Sequence, residues 1–534
     1  MLQIGSSESD KTSSSSSSKE DQQKWRLVRI RSASWFISLV VNLAALTDSM
    51  FFGLIVPFLP NLLRDRVGLT DDAEMQLWNS VLVGVYGGAV FIGSPIFGYF
   101  ADKAKSRKIP LLMGYVSLAA STVLLHIGNS LALLVLGRIL QGFSSACVSS
   151  VGFAILFDAF GSEEAGSAMG WVAASLDAGG FIGPALAGIL FNAGGERAVF
   201  VFAYAFIAFD ILLGVLVIID RKKAADPKLA LATSSSALEA YSDSDSDSEA
   251  SATAVASSPE VSDSEDSSRG KMMKEKGPTA ATDEPRRTST PVPSRPAGVS
   301  FRRLMLNPRL LAAFSGWLVV GSFETAFDSV LPIFVEQTYH WAVLGAGLIF
   351  LGFYLPGIVV SPICGYIMDR VRNSPRILCF AGFALSGPAF ILLGLTEGPQ
   401  VGKQALLCVL LSLIGIGTGL SGPPLLKEVG TVVELAEREN PGAYGPKGAT
   451  ARAYGVHNAA FAIGNLLGPV LAGAMKAAFG WNTMGWVFGV MSLVMGAVVV
   501  CSLEGWIWDS TLNFSRSRRR AYIGSAEIEV EENV

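Results

Sequence analysis

The chain has 534 residues, of which 50% are hydrophobic and only 16% are charged, and its mean hydropathy is +0.44. Soluble globular proteins carry about 25% charged residues, so this composition excludes an ordinary soluble protein and predicts one embedded in a membrane. The net charge of -4 adds little, because the acidic residues gather in the tails and in one loop. We expect no nucleic-acid partner.

The 5 cysteines all lie in apolar stretches and have no paired spacing. They are therefore interpreted as small packing residues rather than as disulfide partners or metal ligands. We expect no metal site and no cofactor, and the sequence carries no P-loop signature for direct use of a nucleotide.

Twelve apolar runs are long enough, at roughly 20 residues each, to cross a bilayer. They cover approximately residues 33–60, 79–101, 109–128, 131–157, 166–192 and 198–219, then 308–336, 342–369, 376–396, 404–427, 450–477 and 483–505. Six runs, a polar stretch and six more runs predict an all-α membrane protein with 12 transmembrane helices in two pseudo-symmetric six-helix bundles.

The segments around these runs are polar. We expect a disordered cytosolic N-terminus over 1–30, helix bundles over 31–220 and 307–508, a disordered Ser/Asp-rich cytosolic loop over 221–306, and a cytosolic tail over 509–534. Basic residues gather before run one, after runs two, six and eight, and in the tail, and this bias places both termini in the cytosol. The loop is interpreted as a solvated tether, and whether its serines are phosphorylated and regulatory is left open.

The first run contains an acidic residue, Asp48, near its middle. An ionised carboxylate at that depth of a bilayer is expensive, so such a residue usually faces a water-filled path and handles a proton or a cation. Gly53, Pro57 and Pro60 follow it and predict a bent or broken helix that lines a cavity. Charge and bend together predict a transport site rather than a passive membrane anchor.

Two short sequences recur in the two halves of the chain. SPIFGYFAD over 94–102 is repeated as SPICGYIMD over 361–369, and GPALAG over 183–188 is repeated as GPVLAG over 468–473. The two halves are therefore related by duplication. Parallel repeats of this kind place a substrate cavity at their interface, which is reached from each side in turn by rocking.

Each copy of the first repeat ends in an aspartate, Asp102 or Asp369, that is followed by basic residues. A carboxylate at a helix end can hold nearby basic residues and latch the cytosolic side, and breaking that latch favours inward opening. Basic residues that only set the topology are the alternative. The predicted gating residues are Gly98, Asp102, Arg107, Lys108, Asp369 and Arg370.

Two acids in run seven, Glu324 and Asp328, are four residues apart and share a helix face. If both point inward, like-charge repulsion and desolvation favour a proton on at least one of them, as proton carriage near neutral pH requires. Aromatic side chains beside the acids of runs one and seven suit a planar or cationic organic solute. The alternatives are an acid solvated near the outer end and rings that face lipid. These aromatic residues are Phe51, Phe52, Phe323 and Phe327.

The chain resembles the major facilitator superfamily along essentially all of its membrane-embedded length, which implies that superfamily's fold. The superfamily's loop signature is matched by Gly98, Asp102, Lys103, Arg107 and Lys108, although Lys105 stands where a glycine is usual. Arg138 and Gln141 in run four match an Arg-x-x-Gln-Gly pattern shared by its proton-driven branch. That match implies a cation that orders the cavity and favours the ionised form of a nearby acid. An arginine paired with carbonyl groups is the alternative.

Run five resembles the antiporter motif of the same superfamily. Gly183 and Pro184 stand at the motif's spacing, and Gly468 and Pro469 are their counterparts in run eleven. Small residues let helices approach closely and a proline makes a pivot, so the resemblance implies antiport. Helix packing alone would use the same residues.

Within the superfamily the chain is similar to the vesicular amine and acetylcholine transporters, and more broadly to drug:proton antiporters. The likeness places Asp48 on the cation-recognising aspartate of run one and Asp328 on an acidic residue of run seven. The family's lysine in run two and its partner aspartate in run eleven fall on Tyr86 and Asn458, so a buried ion pair is replaced by neutral groups. Monoamine specificity is therefore not carried over.

Three further positions depart from that family. Its acid in run ten falls on Gly422, and the acids Asp177 and Glu324 have no match in it. The set of carboxylates is rearranged. The predicted substrate- and proton-binding residues are Asp48, Arg138, Gln141, Asp177, Glu324, Asp328 and Asn458.

The resemblance implies a proton-coupled antiporter, not an enzyme, that exports or sequesters a small organic solute such as an amine, a drug or a secondary metabolite. The expected partners are a small-molecule substrate, protons and the lipid bilayer, and the protein is expected to be a monomer in the plasma membrane or in a vesicle or vacuole membrane. Two alternatives stay open: a facilitator or proton symporter that imports an organic acid or a nutrient, and a non-transporting receptor that signals through the Ser/Asp-rich loop.

Overall fold

Twelve helices account for nearly all of the described chain. The structure, a computed structural model, describes residues 28–55, 62–217, 301–341, 343–371, 373–445 and 447–504. The predicted polar terminus over 1–27, Pro57 and Pro60, almost all of the loop over 221–306 and the tail over 509–534 lie outside these ranges. The domain boundaries therefore stay a prediction.

The first half forms six helices. They begin with α1 (Ser34–Ile55), α2 (Asp72–Lys103) and α3 (Lys108–Ile127), and a π-helical turn (Leu63–Val67) lies between α1 and α2. A helical run over Leu131–Leu216 then follows, and its backbone is non-helical at Gly161, Gly194 and Gly195. These glycines divide the run into α4 (131–160), α5 (162–193) and α6 (196–216).

The second half repeats this order after a short helix (Phe301–Met305). It contains α7 (Pro308–Tyr339), α8 (Val343–Arg370), α9 (Ser374–Leu392) with a 3-10 turn (Leu393–Thr396), and α10 (Val401–Glu439). Gly480 divides the last run, Thr450–Ser502, into α11 (450–479) and α12 (481–502). Nine continuous helices of the described chain are long and apolar enough to cross a membrane. One of these, Leu131–Leu216, comprises three helices, and another, Thr450–Ser502, comprises two. The nine continuous helices therefore contain twelve spans, as predicted.

Two helices differ from the sequence prediction. Helix α1 is not broken at Gly53, because it continues to Ile55, and the bend or break predicted at Pro57 and Pro60 lies outside the described residues. Gly53 serves close packing instead: a Cβ atom there would lie within 3.0 Å of the Pro184 ring. Helix α10 extends to Glu439, well beyond the apolar run predicted to end at 427. Its last turns, VELAERE, consist mostly of strong helix formers and continue the helix past the apolar segment.

Glycines bring α1 against α5 and α7 against α11. A Cβ atom at Gly183 would lie within 3.0 Å of the Met50 carbonyl oxygen, and one at Gly468 would lie within 3.0 Å of the Ser322 carbonyl oxygen. Backbones can approach this closely only where the side chain is a hydrogen atom. The duplicated Gly-Pro sequences therefore mark equivalent helix crossings. The outer faces of most helices expose large apolar side chains, as expected of surfaces in contact with lipid.

We expect the substitution Gly183→Val to lower the free energy of unfolding by about 1–3 kcal/mol, because the added side chain overpacks the α1–α5 crossing. Gly188→Val is the matched control on the same helix, since a Cβ atom at Gly188 would meet no described atom within 4 Å. The measurement is the thermal unfolding midpoint of each purified variant. Equal midpoints for the two variants would show that the crossing tolerates a side chain.

Candidate functional site

The end of α2 is fastened to the start of α11. Asp102, only 4% exposed, accepts hydrogen bonds from the backbone N–H groups of Ala451 and Arg452, both at 3.0 Å. Its carboxylate also pairs with the guanidinium groups of Arg107 (3.2 Å) and Arg452 (3.1 Å). A carboxylate at a helix N-terminus interacts favourably with the unpaired N–H groups and the helix dipole. Asp102 thus joins the first half of the chain to the second.

The second copy of the repeat makes the equivalent contact, this time from an aspartate in the second half to backbone N–H groups in the first half. Asp369, at the end of α8, accepts hydrogen bonds from the backbone N–H groups of Gly166 (2.8 Å) and Ser167 (2.7 Å) near the start of α5. The Lys427 ammonium group lies 3.1 Å from the same carboxylate. We call the end of the bundle that holds these two contacts the latch end.

Backbone packing closes the latch end as well. A Cβ atom at Gly98 would lie within 3.0 Å of the Ala451 carbonyl oxygen, and one at Gly365 would lie within 3.0 Å of the Gly166 carbonyl oxygen. One turn deeper, the Asn458 amide donates to the Ser94 hydroxyl at 2.9 Å. The two halves are therefore in direct contact here, with no side chain between α2 and α11 at Gly98.

Of the three basic residues predicted for this gate, one contacts a latch carboxylate and two have other partners. Arg107 pairs with Asp102 and also with Asp158. Lys108 donates instead to the carbonyl oxygen of Val217 at 2.9 Å. Arg370 lies over the ring of Tyr366, 4.2 Å from its centroid. Sequence analysis missed two cations that do contact the latch carboxylates, Arg452 and Lys427, because each lies far along the chain from its aspartate.

Asp48 points into the protein from the middle of α1. Its side chain is 7% exposed and accepts a hydrogen bond from the Ser145 hydroxyl of α4 at 2.7 Å. The Tyr86 hydroxyl of α2 also approaches Ser145. Among the described residues, no Lys, Arg or His side chain forms an ion pair with Asp48. A carboxylate held this way can receive either a proton or a cationic group.

Arg138 and Gln141 form a buried pair on α4. The Arg138 guanidinium is fully buried, and its Nη1 donates to Gln141 Oε1 at 2.8 Å. Gln141 Nε2 in turn donates to the carbonyl oxygen of Phe51 on α1 at 3.1 Å. The two residues of the Arg-x-x-Gln pattern therefore contact each other, and Gln141 links α4 to α1.

Three further acids meet between the two halves. Asp177 of α5 and Asp328 of α7 both lie within electrostatic range of Glu324, which is also on α7. The Tyr354 hydroxyl of α8 donates to Asp328 at 3.5 Å, and a Cβ atom at Gly357 would lie 2.9 Å from an Asp177 oxygen. The structure records no basic partner for these acids within the chain that it describes. We call Asp177, Glu324 and Asp328 the acid cluster.

Asp48 and the acid cluster lie at a similar depth. Asp48 is 14 residues after the start of α1, Asp177 is 15 after the start of α5, and Glu324 is 16 after the start of α7. At a rise of about 1.5 Å per residue these three are nearly level, counted from the latch end. Asp328 lies one turn further from that end, and its side chain is exposed. Asp177 and Glu324 are half-buried.

Three of the four aromatic residues predicted to suit a solute are buried against other side chains, and the fourth, Phe52, is partly exposed. Phe323 and Phe327 are each 1% exposed, and the Phe327 ring stacks on Phe390 of α9 with centroids 5.3 Å apart. Their large apolar area is buried between α7 and α9. Phe51 is also buried, at 2% exposure, and Phe52 contacts the Tyr86 ring at 4.8 Å.

Sequence analysis also missed a buried histidine. His457 of α11 stacks on Trp317 of α7, with ring centroids 5.3 Å apart. Neither ring nitrogen of His457 has a hydrogen-bond partner in the part of the chain that the structure describes. The available signal was composition, since the chain has only 3 histidines.

The sequence is similar to a known family and to several known proteins along most of its length. The sequence profile described as Major Facilitator Superfamily matches residues 41–438. The MFS-type transporter ppzB of Metarhizium majus (strain ARSEF 297) is 31% identical over 459 residues, which cover 85% of this chain and 96% of that protein. The vesicular acetylcholine transporter unc-17 of Caenorhabditis elegans is 20% identical over 515 residues, covering 90% of this chain and 80% of that protein.

A solved structure has the same fold. The crystal structure of the human organic anion transporter MFSD10 (TETRAN) aligns with a TM-score of 0.58 and covers 87% of this chain and 99% of that one. Sequence identity in this alignment is 18%, so the likeness bears on the fold alone.

Proposed function

Because the chain belongs to the major facilitator superfamily, and is thus a multi-pass membrane transporter and not an enzyme, we propose that it is a proton-coupled antiporter. Its cargo is a small organic solute, such as an amine, a drug or a secondary metabolite, that it exports from the cytosol or sequesters. It acts as a monomer in the plasma membrane or in a vesicle or vacuole membrane.

The observation that carries this proposal is the arrangement of four carboxylates without basic partners in the described chain. Asp48 and Asp177 lie in the first half, and Glu324 and Asp328 lie in the second. Ionised carboxylates that are buried or crowded together are costly, so protons or a cationic solute offset their charge. Proton and solute then compete for the same groups. Competition for one carboxylate is sufficient to couple the two flows.

Alternating access follows from the two latch contacts. Lys and Arg residues gather at the latch end, so we assign that end to the cytosol. The described state is then the one closed to the cytosol. The helix bundles over 31–220 and 307–508 are the two rocking units. Separation of Asp102 from Ala451 and of Asp369 from Gly166 opens the other side, and the crossings at Gly183 with Pro184 and at Gly468 with Pro469 act as pivots.

We expect the substitution Asp48→Asn to abolish transport driven by a pH gradient, because asparagine cannot exchange a proton. The measurement is accumulation of candidate amines, organic acids and natural-product toxins in sealed vesicles with an imposed pH difference. Glu397→Gln is the matched control, since it neutralises an exposed acid in a loop. Gradient-driven accumulation by Asp48→Asn at the level of the unmodified protein would refute the role of Asp48.

The alternative function is a facilitator or a proton symporter that imports an organic acid or a nutrient. The buried cation Arg138 favours it, because a cation attracts an anionic solute. The proposed and the alternative functions are distinguished by how a pH gradient affects solute entry and counterflow, which is the exchange of labelled for unlabelled solute. Solute entry that persists unchanged when a protonophore abolishes the pH gradient favours the facilitator. Entry that rises with an inward proton gradient favours the symporter.

A further inference from the structure

Arg138 is a buried charge without a counter-charge. Its side chain is fully buried in α4, and no carboxylate in the described chain forms an ion pair with it. An unpaired ionised group in a protein interior is strongly destabilising unless another group compensates for its charge. Arginine cannot escape this cost by losing its proton, because its guanidinium stays charged in proteins. Asp48 forms its recorded hydrogen bond with Ser145, and no ion pair joins it to Arg138 among the described residues.

The unused donors of Arg138 lie on one edge of the guanidinium group. Nη1 donates to Gln141, whereas Nε and Nη2 are buried and have no hydrogen-bond partner among the described residues. The Nε–H and Nη2–H groups point the same way, and together they form the edge that receives both oxygens of a carboxylate. Gln141 is itself held by the Phe51 carbonyl, so this edge is fixed in position.

The Tyr86 ring of α2 lies beside the Arg138 guanidinium group. The Arg138 guanidinium carbon lies 6.0 Å from the centroid of the Tyr86 ring, and Tyr86 is itself only partly buried. Gly84, Gly87 and Gly88 surround Tyr86 on α2, and the sides of all three face open space. The face of α2 beside Tyr86 therefore leaves open space next to the ring.

We propose that the free edge of Arg138 binds a carboxylate group of the transported solute. This inference names the substrate class for the proposed transport site and rests on that proposal. The carboxylate lies against Arg138, and the acid cluster takes a proton or a cationic group of the same solute. This narrows the cargo proposed above to solutes that carry a carboxylate, which are organic acids or zwitterions rather than simple amines.

Binding of benzoate to the purified full-length protein tests this inference. Benzoate carries the carboxylate, and benzamide has the same ring and nearly the same shape without the charge. We expect benzoate to raise the thermal unfolding midpoint in a saturable way, and benzamide at equal concentration to leave it unchanged. Potassium chloride at equal ionic strength accounts for general salt effects.

The variant Arg138→Lys keeps the charge and loses the two-donor edge. We expect it to weaken benzoate binding on the order of tenfold or more, because lysine cannot make the paired hydrogen bonds. The matched control Arg197→Lys changes an exposed arginine and leaves benzoate binding unchanged. If benzoate and benzamide stabilise the unmodified protein equally, or if Arg138→Lys binds benzoate as well as the unmodified protein does, the inference is wrong.

A second variant covers the case in which Arg138→Lys does not fold. Gln141→Leu removes the acceptor that holds Nη1 and leaves Arg138 in place, so we expect a smaller but measurable loss of benzoate affinity. These measurements use no pH gradient. Full gradient-driven transport by Asp48→Asn with benzoate binding intact therefore rejects the proposed role of Asp48 and keeps the anion site. Loss of that transport in Asp48→Asn, together with no specific benzoate binding by the unmodified protein, rejects the anion site alone.

Discussion

Asp102→Asn is expected to open the latch end, because asparagine keeps one acceptor oxygen and loses the charge that holds α11. Asp102 is 4% exposed and receives two backbone N–H groups and two guanidinium groups. Removal of one partner from a buried charge network costs about 3–5 kcal/mol. A change of about 3 kcal/mol alters the ratio of closed to open protein on the order of a hundredfold.

A cysteine placed at Ser94 measures this opening. Ser94 is fully buried one turn inside the latch, where it meets Asn458. Cys408 and Cys501 are replaced by serine, since they are the two native cysteines not buried in the structure. The rate of reaction with a membrane-impermeant maleimide then reports access from the latch end. We expect Asp102→Asn to increase this rate by one to two orders of magnitude.

Asp71→Asn is the matched control for this experiment. It makes the same chemical change at the other end of the same helix, where Asp71 caps α2 by accepting from the Glu74 N–H at 3.2 Å. Asparagine caps helices as well as aspartate does, so the reaction rate at residue 94 is expected not to change. An unchanged rate in Asp102→Asn as well would show that glycine packing alone closes this end.

Local features of the sequence predicted much of the fold. The twelve spans follow from the length of each apolar run, because a bilayer fixes the number of residues that must be apolar. The Arg138–Gln141 contact follows from a spacing of three residues on one helix. The repeated SPI motifs identified Asp102 and Asp369 as equivalent positions, and the structure gives them equivalent partners.

Contacts between distant segments could not be predicted from one sequence. Asp102 and Ala451 are 349 residues apart, and no local pattern links them. Lys108 and Arg370 were assigned to the latch because they are adjacent to it in sequence, but other groups lie closer to their side chains in space. Carbonyl groups at the end of α6 receive Lys108, and the Tyr366 ring receives Arg370.

The acid cluster depends both on local spacing along one helix and on a contact between distant segments. Glu324 and Asp328 share a face of α7 by their spacing, whereas Asp177 joins them only because α5 packs against α8. Since Asp177 belongs to the first half and Glu324 to the second, any rocking of the halves changes the distance between these carboxylates. The repulsion that favours a shared proton therefore changes with the conformation, which gives the proposed antiporter a means to release that proton on one side.

Glu324→Gln is expected to abolish accumulation driven by a pH gradient while solute counterflow continues. Glutamine has nearly the same shape as protonated glutamate, so the cavity is kept, but it cannot release a proton. The gradient then no longer acts on the solute, whereas exchange of solute for solute needs no net proton movement. Both fluxes are measured in proteoliposomes that contain the purified variant.

Asp177→Asn tests whether the acid cluster acts as one unit. If the carboxylates share a proton, Asp177→Asn alone loses as much gradient-driven transport as Glu324→Gln does, and the double variant loses no more than either, since groups that act together are not additive. Glu336→Gln is the matched control, because Glu336 is an exposed acid further along α7. Full gradient-driven transport by Glu324→Gln would exclude the cluster from proton coupling and leave Asp48 as the site of exchange.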